Sequence, residues 1–433
     1  MARGGLFGFL SRLLLAWGGE INSIHMFIMP LRALFMDMNS YFASCEQHLQ
    51  PELRDRPVAV TPVVVNTGCC IAANYLAKKR GVKTGCSVGE ARALCPDIAI
   101  VKSRPDEYVK LHHKLVALAE DCMHVDEVAS IDEWCCHLTG KWREESEALA
   151  VARKIKERLA EFSPVMRCSI GIAPNRWLAK VGSDMRKPDG LMLIRESDLP
   201  TALHEMKLRD LCGIGKRMER RLNAYGIRTV AELCATSREH MRIIWGGLFG
   251  ERFYLQLHGF DVAPIVTQRC QIGHSRVLPP EIRNPDGVRS CAFRLLQRAA
   301  VRLRTEGYVA AKVILQIRFF DEEGWDDSIS IPPSRDTPTF INALKTLWDR
   351  CPRSCQKPNY CATILCDLSP RGESTMSLFS KDERRADALA AAMDKLSRTY
   401  GQKVLNFGAA MGAVEDGPPR IPFARIPDLE TES

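Results

Sequence analysis

The sequence has no long apolar stretch and few aromatic residues. No run of 18 apolar residues occurs among its 433 residues, which argues against a membrane-spanning helix. Aromatic residues make up 7% of the chain, and the 29 glycines and 24 prolines are spread out rather than collected in tracts. Collagen, coiled coil and global disorder are therefore excluded. A chain of this length predicts about two to four domains of roughly 100 to 200 residues each.

The N-terminus lacks both a signal cleavage site and an uninterrupted apolar segment. Residues 6–17 are apolar, but Ser11 and Arg12 interrupt them, and no A-x-A pattern follows. We expect residues 1–30 to be a leader that is unstructured or mis-started, with the first domain beginning near Met29. A secretory signal and a peripheral amphipathic helix are the alternatives. The expected location is the cytoplasm, with no membrane partner.

Zinc-knuckle spacing is absent, because none of the 17 cysteines lies in a C-x2-C pair. The cysteines are scattered, and several stand in apolar runs, which is typical of reduced cytosolic thiols that pack as small hydrophobic residues. One cluster with the spacing C-x3-C-x5-C-x4-C consists of Cys351, Cys355, Cys361 and Cys366. Structural zinc at this cluster is an alternative, although residues 361–368 have the pattern of a strand.

Acidic residues are scarce in one part of the chain. The whole sequence has 60 Lys and Arg against 52 Asp and Glu, a formal charge of +8. Residues 269–318 hold ten Lys and Arg but three Asp and Glu, so this segment alone carries a net charge of +7. The concentration of charge predicts a surface that faces a polyanion.

Apolar periodicity predicts alternating strands and helices in the first half of the chain. Strands are predicted at 31–37, 128–138 and 166–173, and helices at 87–94, 106–124 and 144–162. This order predicts an α/β or α+β layer with helices on one face of a sheet. His112 and His113 are adjacent and point about 100° apart on a helix, so we predict that they are surface residues.

The second half predicts a helical segment and then a further sheet. In residues 211–222, the turn Gly213-Ile214-Gly215 opens a basic helix at Lys216, which resembles a helix-hairpin-helix that grips the DNA backbone. The alternative is an ordinary helical turn with a solvated basic face. After a linker, the order β-α-β-β-α-β is predicted, the split-βαβ layout. Its elements are predicted at 272–278, 286–306, 310–320, 327–331, 339–349 and 362–368.

Three carboxylates stand in apolar surroundings. Asp37 ends a predicted buried strand, and Asp132 and Glu133 lie in the run VASIDEWCCHL. Unpaired charges are costly in such a place unless a divalent cation neutralises them, and a pair of Mg²⁺ ions about 4 Å apart can serve phosphoryl transfer. Adjacent strand residues point to opposite faces, so both acids reach one site only at a bulge or strand end. A capped turn or an edge charge is the alternative.

Four motifs together resemble the Y-family, or translesion, DNA polymerases. They are FMDMNSYFASCE (35–46), ASIDE (129–133), SIGIAPNRWLAKVGSDMRKPDG (169–190) and GIG (213–215), and the resemblance extends in order from about residue 31 to 408. It implies an α+β multidomain right hand with a ferredoxin-like palm, small fingers, a helix-hairpin-helix thumb and a split-βαβ little finger.

The resemblance also implies domain bounds. The chain would consist of a leader (1–30), palm (31–41 and 104–195), fingers (42–103), thumb (196–258), linker (259–271), little finger (272–370) and C-terminal tail (371–433). We find no run that predicts a separate exonuclease domain.

By position, the resemblance implies roles for single residues. Asp37, Asp132 and Glu133 would be catalytic ligands of two Mg²⁺ ions, with the Met38 carbonyl completing the shell. Phe42 would be the steric gate against a ribose 2′-hydroxyl; taken alone, it fits a core aromatic.

Further positions match contacts to nucleotide and DNA. Tyr75, Lys78 and Lys187 would bind the triphosphate, where Lys78 offers a point charge and not the fork of an arginine. Gly213, Gly215 and Lys216 would contact DNA.

The implied function is template-directed, low-fidelity DNA synthesis across damaged DNA, by nucleotidyl transfer from a dNTP to the 3′-hydroxyl of primer-template DNA. Two alternatives are a catalytically weak or inactive accessory protein that binds DNA and the sliding clamp, and a nucleotide cyclase, whose palm also uses paired acids. The lesion specificity and the error spectrum are not readable from the sequence.

Other segments suggest a branch and partners. The runs SYFASCEQ and NTGCCIAANYLAKKRGVKTG look more like the UmuC-type branch than the DNA polymerase IV type, so a UmuD-like partner is a further expectation. The run TMSLF (375–379) is similar to a clamp-binding peptide, in which Leu378 and Phe379 would fill a pocket on the sliding clamp. Thr375 replaces the usual glutamine, and a turn packed on its own domain is the alternative.

Overall fold

The computed structural model of the protein describes residues 30–263, 265, 268–320, 323–352, 358–371, 383–400 and 426. Within these ranges, no helix has the length and apolar character that a membrane crossing needs. The predicted leader lies outside the described residues apart from Pro30. Cys355 and the two residues of the expected clamp peptide, Leu378 and Phe379, also lie outside them.

The described residues form twelve strands and thirteen α-helices, besides short 3₁₀ helices. The strands are β1 (Ala33–Met38), β2 (Val58–Thr61), β3 (Ala72–Ala73), β4 (Ala99–Lys102), β5 (Glu127–Ser130), β6 (Glu133–His137), β7 (Cys168–Ala173), β8 (Leu191–Leu193), β9 (Gln271–Val277), β10 (Tyr308–Phe319), β11 (Trp325–Ser334) and β12 (Pro358–Pro370). The helices are α1 (Tyr41–Leu49), α2 (Tyr75–Lys79), α3 (Val88–Leu94), α4 (Pro105–Glu120), α5 (Glu145–Phe162), α6 (Arg176–Met185), α7 (Lys216–Ala224), α8 (Val230–Ala235), α9 (Arg238–Trp245), α10 (Leu248–Leu257), α11 (Pro285–Thr305), α12 (Thr337–Arg350) and α13 (Glu383–Tyr400).

A five-stranded sheet in the order β5-β6-β1-β7-β8 forms the centre of the first half. Every residue of β1 is buried, and its side chains alternate between the two faces. Leu34 and Met36 join α4 and α5 in one apolar cluster, whereas Ala33 and Phe35 join α6 and the helices after it in another. Helices therefore cover both faces of this sheet. The prediction of helices on one face is wrong, because both alternating stripes of β1 are apolar.

The apolar run 128–138 forms two antiparallel strands, not the single predicted strand. Ile131 and Asp132 separate β5 from β6. The hydroxyl of Ser130 donates a hydrogen bond of 2.6 Å to the Asp132 carboxylate, and the Asp132 carbonyl accepts one of 2.8 Å from the Met38 amide. These bonds turn the chain without the glycine or proline that usually signals a turn.

A second sheet, in the order β3-β2-β4, is small. β2 is antiparallel to β3 and parallel to β4. The run 87–94, predicted as a helix, forms α3, which begins with a capping box between Ser87 and Glu90. The core of this unit consists of small and medium side chains: Ala59, Cys70, Ala73, Ala77, Val82, Val88, Ala91, Cys95 and Ile98.

The helical segment α7–α10 packs on the central sheet. Leu211, Ile214 and Leu222 belong to the same apolar cluster as Phe35 of β1. The indole N–H of Trp177 on α6 donates to the carbonyl of Cys212 at 3.0 Å. The segment is thus fastened directly to the layer that carries β1.

The last sheet is antiparallel, in the order β11-β10-β12-β9, and it confirms the predicted order β-α-β-β-α-β. Helices α11 and α12 share one apolar core with it. On α11, Arg304 donates to both carboxylate oxygens of Asp394 on α13, each at 2.7 Å. Both side chains are buried, with 5% and 8% exposure. Helix α13 is therefore anchored to this sheet domain by a buried ion pair.

Candidate active site

The three predicted carboxylates meet at one end of the central sheet. Asp37, near the end of β1, is directly opposite Glu133, the first residue of β6. The amide next to it, that of Met38, bonds the carbonyl of Asp132. Asp132 lies in the turn before β6, so adjacent acids reach one region from a strand end, as the sequence required. Only 5% of Asp37 is exposed.

Two lysines enter this acid cluster. The ammonium group of Lys180 on α6 contacts Asp37 and lies 2.7 Å from Glu133 Oε1. Lys187 Nζ lies 2.7 Å from Asp37 Oδ2 and 2.7 Å from Asp184 Oδ1. Asp184 Oδ2 also lies 3.2 Å from the Nζ atom of Lys180, a residue that precedes Asp184 by one turn of α6. The site is therefore a network of closely spaced opposite charges.

The environment shifts the three carboxyl pKa values in different directions. Burial raises the pKa of Asp37, but the positive charges of Lys187 and Lys180 outweigh it, so this pKa is below its ordinary value. Burial raises the pKa of Asp132, and the charge of Asp37 adds to the effect. The pKa of Glu133 is also raised, because burial, together with the charges of Asp37 and Asp132, outweighs the lowering by Lys180. Asp132 and Glu133 therefore lack a full compensating positive charge.

The donor set of the cluster suits a hard divalent cation, because carboxylate and carbonyl oxygens are the ligands that Mg²⁺ prefers. In their present positions, no three or more acidic, histidine or cysteine side chains of the described ranges are arranged to hold a metal ion. Lys180 and Lys187 neutralise part of the cluster instead. An ion that bound the carboxylates would displace some of these lysine contacts. The described cysteines do not form a metal-binding group either.

Tyr75 and Lys78, on α2, face the end of β1. Lys78 Nζ lies 4.4 Å from the centre of the Tyr75 ring and donates to the Ser40 hydroxyl at 2.8 Å. Burial lowers the pKa of Lys78, and the nearby charge of Lys187 lowers it further. The three residues that the resemblance assigned to the triphosphate therefore lie within electrostatic reach of one another.

Phe42 lies on α1, which begins directly after the turn that ends β1. Its ring is half-buried and stacks on Tyr108 of α4, with 4.9 Å between ring centres and 21° between planes. The structure thus places Phe42 at the edge of the apolar core, with one face supported.

The turn Gly213-Ile214-Gly215 stands before α7. Gly213 has a φ of 93°, which glycine adopts without the steric penalty of other residues. A Cβ atom on Gly215 would meet nothing within 4 Å, and Lys216 is exposed. The two glycines and the Lys216 side chain are therefore accessible to a partner, whereas Ile214 is buried.

Three family models match successive parts of the chain. The impB/mucB/samB family matches residues 36–184, the IMS family HHH motif matches 196–227, and the C-terminal domain of the impB/mucB/samB family matches 269–378. DNA polymerase IV of Moorella thermoacetica is 32% identical over 380 residues, which cover 86% of this chain and 94% of that protein. The chain belongs to the Y-family, or impB/mucB/samB, polymerases. DNA polymerase IV 1 of Bacillus subtilis is 28% identical over 387 residues, covering 87% of this chain and 92% of the relative.

Solved structures show the Y-family fold. A Y-family DNA polymerase chimera, Dbh-Dpo4(243-245)-Dbh, has a TM-score of 0.64 at 24% identity and covers 78% of this chain and 99% of its own. DinB from Sulfolobus solfataricus has a TM-score of 0.51 at 24% identity, with coverages of 77% and 98%. The expected UmuC-type branch is not confirmed, since the relatives named above are DNA polymerase IV proteins.

Several residues of this Y-family site were missed by the sequence reasoning. Lys180 and Asp184 stand inside the motif 169–190, and their spacing of four on a helix was a usable signal. His112, predicted on the surface, is 1% exposed, because its Nδ1 lies 2.8 Å from the carbonyl of Ile131, beside the carboxylate turn. Nothing in the sequence around His112 signals that long-range contact.

Proposed function

We propose that this chain is a DNA-directed DNA polymerase that carries out translesion synthesis, transferring a nucleotide from a dNTP to a primer 3′-hydroxyl. The observation that supports this most strongly is the meeting of Asp37, Asp132 and Glu133 at one sheet end, in a member of the Y family. A polymerase needs buried negative charge to place cations beside a triphosphate. The raised pKa values of Asp132 and Glu133 suit that need.

The proposed cofactor is Mg²⁺, as two ions held by Asp37, Asp132 and Glu133, with the Met38 carbonyl as a further ligand. Bound Mg²⁺ supplies charge neutralisation and polarises phosphate oxygens. Within the protein, Lys187 changes partner: it releases Asp37 and Asp184 and binds a phosphate oxygen. The partners of Lys187 are already two carboxylates, so a phosphate oxygen replaces a group of the same charge sign.

We propose that Tyr75 and Lys78 also bind the triphosphate. Lys78 is held by the Ser40 hydroxyl and the Tyr75 ring, so its ammonium group is positioned before the nucleotide arrives. Phe42 then excludes a ribose 2′-hydroxyl, because its supported ring has little freedom to retreat.

The DNA contacts are proposed at two basic surfaces. Gly213, Gly215 and Lys216 offer exposed backbone N–H groups and a cation to a phosphate, and the segment 269–318 adds the net charge of +7. Primer-template DNA and dNTPs are the proposed partners. A sliding clamp at Leu378 and Phe379, and a UmuD-like protein, are further proposals.

The domain bounds are proposed as palm 31–41 and 104–195, fingers 42–103, thumb 196–258, linker 259–271 and little finger 272–370. The separate apolar clusters of the small sheet and the last sheet support this division. The small side chains of the fingers core give little stiffness against a distorted base pair, which fits low fidelity.

Primer extension on plain and abasic templates, with Mg²⁺ and each dNTP, tests the proposal. Asp37→Asn should abolish extension, since a neutral amide does not supply the negative charge that holds a divalent cation beside the triphosphate. Asp121→Asn is the matched control. This aspartate follows the last residue of α4, its side chain is 66% exposed, and its charged neighbour is Arg158 of α5, which is outside the acid cluster. Native protein that binds DNA without extending it would favour the accessory-protein alternative.

A further inference from the structure

One buried carboxylate plays no part in the acid cluster. Glu46 lies on α1, one turn after Phe42, and it is 0% exposed. A buried charge is costly unless it is paired and hydrogen bonded, and the proposed nucleotide transfer makes no use of it. Its partners therefore indicate what it stabilises.

The partners of Glu46 come mainly from the start of α4. Arg104 Nε lies 3.1 Å from both carboxylate oxygens, and a guanidinium nitrogen contacts Oε2 more closely. The Tyr108 hydroxyl donates to Oε1 at 2.6 Å. Gln50, on the next turn of the chain, donates to Oε2 at 2.7 Å. The carboxylate thus ties α1 to α4 through two different side chains.

Tyr108 connects this carboxylate to Phe42. The face of its ring stacks on Phe42 at 4.9 Å, while its hydroxyl is held by Glu46 and its carbonyl accepts a 2.6 Å hydrogen bond from the Tyr41 hydroxyl. The ring is therefore fixed at its tip and at its backbone. A ring fixed at both ends cannot slide away when pressure is applied to its face.

We propose that Glu46 is a positioning residue for sugar selection: it holds the Tyr108 ring, and that ring holds Phe42 against the 2′ position of the incoming sugar. The inference rests on the function proposed above, because Phe42 contacts a sugar only if the site binds nucleotides. The distance involved is small, since a misplacement of about 1 Å in an active site can change a rate about 100-fold.

A purely structural role predicts a different result. If Glu46 only joins α1 to α4, loosening the joint lowers the incorporation of dNTP and of rNTP by the same factor. If Glu46 positions Phe42, rNTP incorporation rises relative to dNTP incorporation. The ratio of the two kcat/KM values therefore separates the two roles.

The test uses Tyr108→Phe and Glu46→Gln in the full chain. Tyr108→Phe keeps the stacked ring and removes only the hydroxyl that Glu46 holds; Glu46→Gln keeps the size and removes the charge. We expect Tyr108→Phe to lower the dNTP-to-rNTP ratio by about tenfold, the factor that one hydrogen bond to a charged group is worth. Glu46→Gln should lower the ratio by a smaller factor, because its amide oxygen still accepts the hydrogen bond from Tyr108 but carries no charge. The double variant should match Tyr108→Phe, because both changes act on the same hydrogen bond.

Gln50→Leu is the matched control. It removes a hydrogen bond of similar length from the same carboxylate, on the side that does not lead to Tyr108. Its dNTP-to-rNTP ratio should equal that of the native protein. Thermal unfolding of each variant shows whether it is folded. If Glu46→Gln does not fold, Tyr108→Phe still tests the proposal.

The outcomes separate this inference from the proposed function. Native protein that extends a primer with dNTPs, together with variants of unchanged ratio or variants that lose both substrates equally, overturns the role of Glu46 alone. A lowered ratio in Gln50→Leu also overturns it. Native protein that extends no primer overturns both the function and the inference. A lowered ratio in the two test variants alone supports the inference.

Discussion

Replacing two neighbouring acids of the site should change the stability of the metal-free protein in opposite directions. In Asp132→Asn, the new amide oxygen can still accept the 2.6 Å hydrogen bond from Ser130, but the uncompensated charge is gone. In Asp37→Asn, the ammonium groups of Lys180 and Lys187 lose a charged partner that is buried. We expect Asp132→Asn to stabilise the protein and Asp37→Asn to destabilise it.

The magnitudes follow from the contacts of each side chain. Removing a strained functional charge commonly raises the free energy of unfolding by about 1 kcal/mol, and in a chain of this size that raises Tm by about 2 °C. Losing a hydrogen bond between charged groups costs about 2 kcal/mol, so Asp37→Asn should lower Tm by about 4 °C.

The pH dependence follows from the direction of each pKa shift. Because the pKa of Asp132 is raised in the folded protein, its ionisation costs stability as the pH rises above 3.8, the ordinary value, to its folded pKa. The gain from Asp132→Asn should therefore be full at neutral pH and disappear near pH 3.8. The lowered pKa of Asp37 has the opposite sign: its stabilisation is present above 3.8 and is lost as the pH falls through its folded pKa.

Thermal unfolding with a chelator, and again with Mg²⁺, measures these effects. Mg²⁺ should raise the Tm of the native protein more than that of Asp132→Asn, because the variant has lost a proposed ligand. Asp121→Asn serves as the control and should match the native protein. A lower Tm for Asp132→Asn in chelator, or a higher one for Asp37→Asn, would refute the charge balance described for the site.

Three further predictions concern other parts of the chain. Asp394→Ala should lower the free energy of unfolding by about 3 kcal/mol, because Arg304 is left buried without this partner; calorimetry checks this, and an unchanged unfolding profile contradicts it. Burial lowers the pKa of His112 to about 4, so the native protein should lose stability as the pH falls from 6.5 to about 4, and His112→Gln should lose less in acid titration followed by circular dichroism. Lys216→Ala should weaken DNA binding equally on different sequences and reduce the salt slope by about 1, as measured by fluorescence anisotropy; a sequence-dependent loss would contradict a phosphate contact.

The sequence predicts the secondary structure well where one local pattern determines it. The run 87–94 was predicted as a helix and forms α3, and the six elements of the last sheet domain follow from their apolar runs. The run 128–138 was predicted less well, because the break between β5 and β6 depends on a local hydrogen bond from Ser130 to Asp132 and on one from Met38, in a strand remote in sequence.

The candidate site could be predicted in part. The apolar surroundings of Asp37 and Asp132 indicated unusual carboxylates, but the resemblance to a family, not the pattern, brought them together. The environment of Phe42 was beyond sequence reasoning, since Tyr108 lies 66 positions away and reaches it only through packing of α1 on α4. The prediction for His112 was wrong for the same reason. Its position on the helix fixes the direction of the side chain but not which residues cover it.

The small core beneath α2 determines where the protein opens locally. Nine buried residues, all of them alanine, cysteine, valine or isoleucine, hold this unit together, whereas β1 has large apolar clusters on both of its faces. Amide hydrogens of this unit should accordingly exchange with solvent through local openings, long before those of β1. Tyr75 and Lys78 therefore belong to a unit that opens more readily than the strand that carries Asp37.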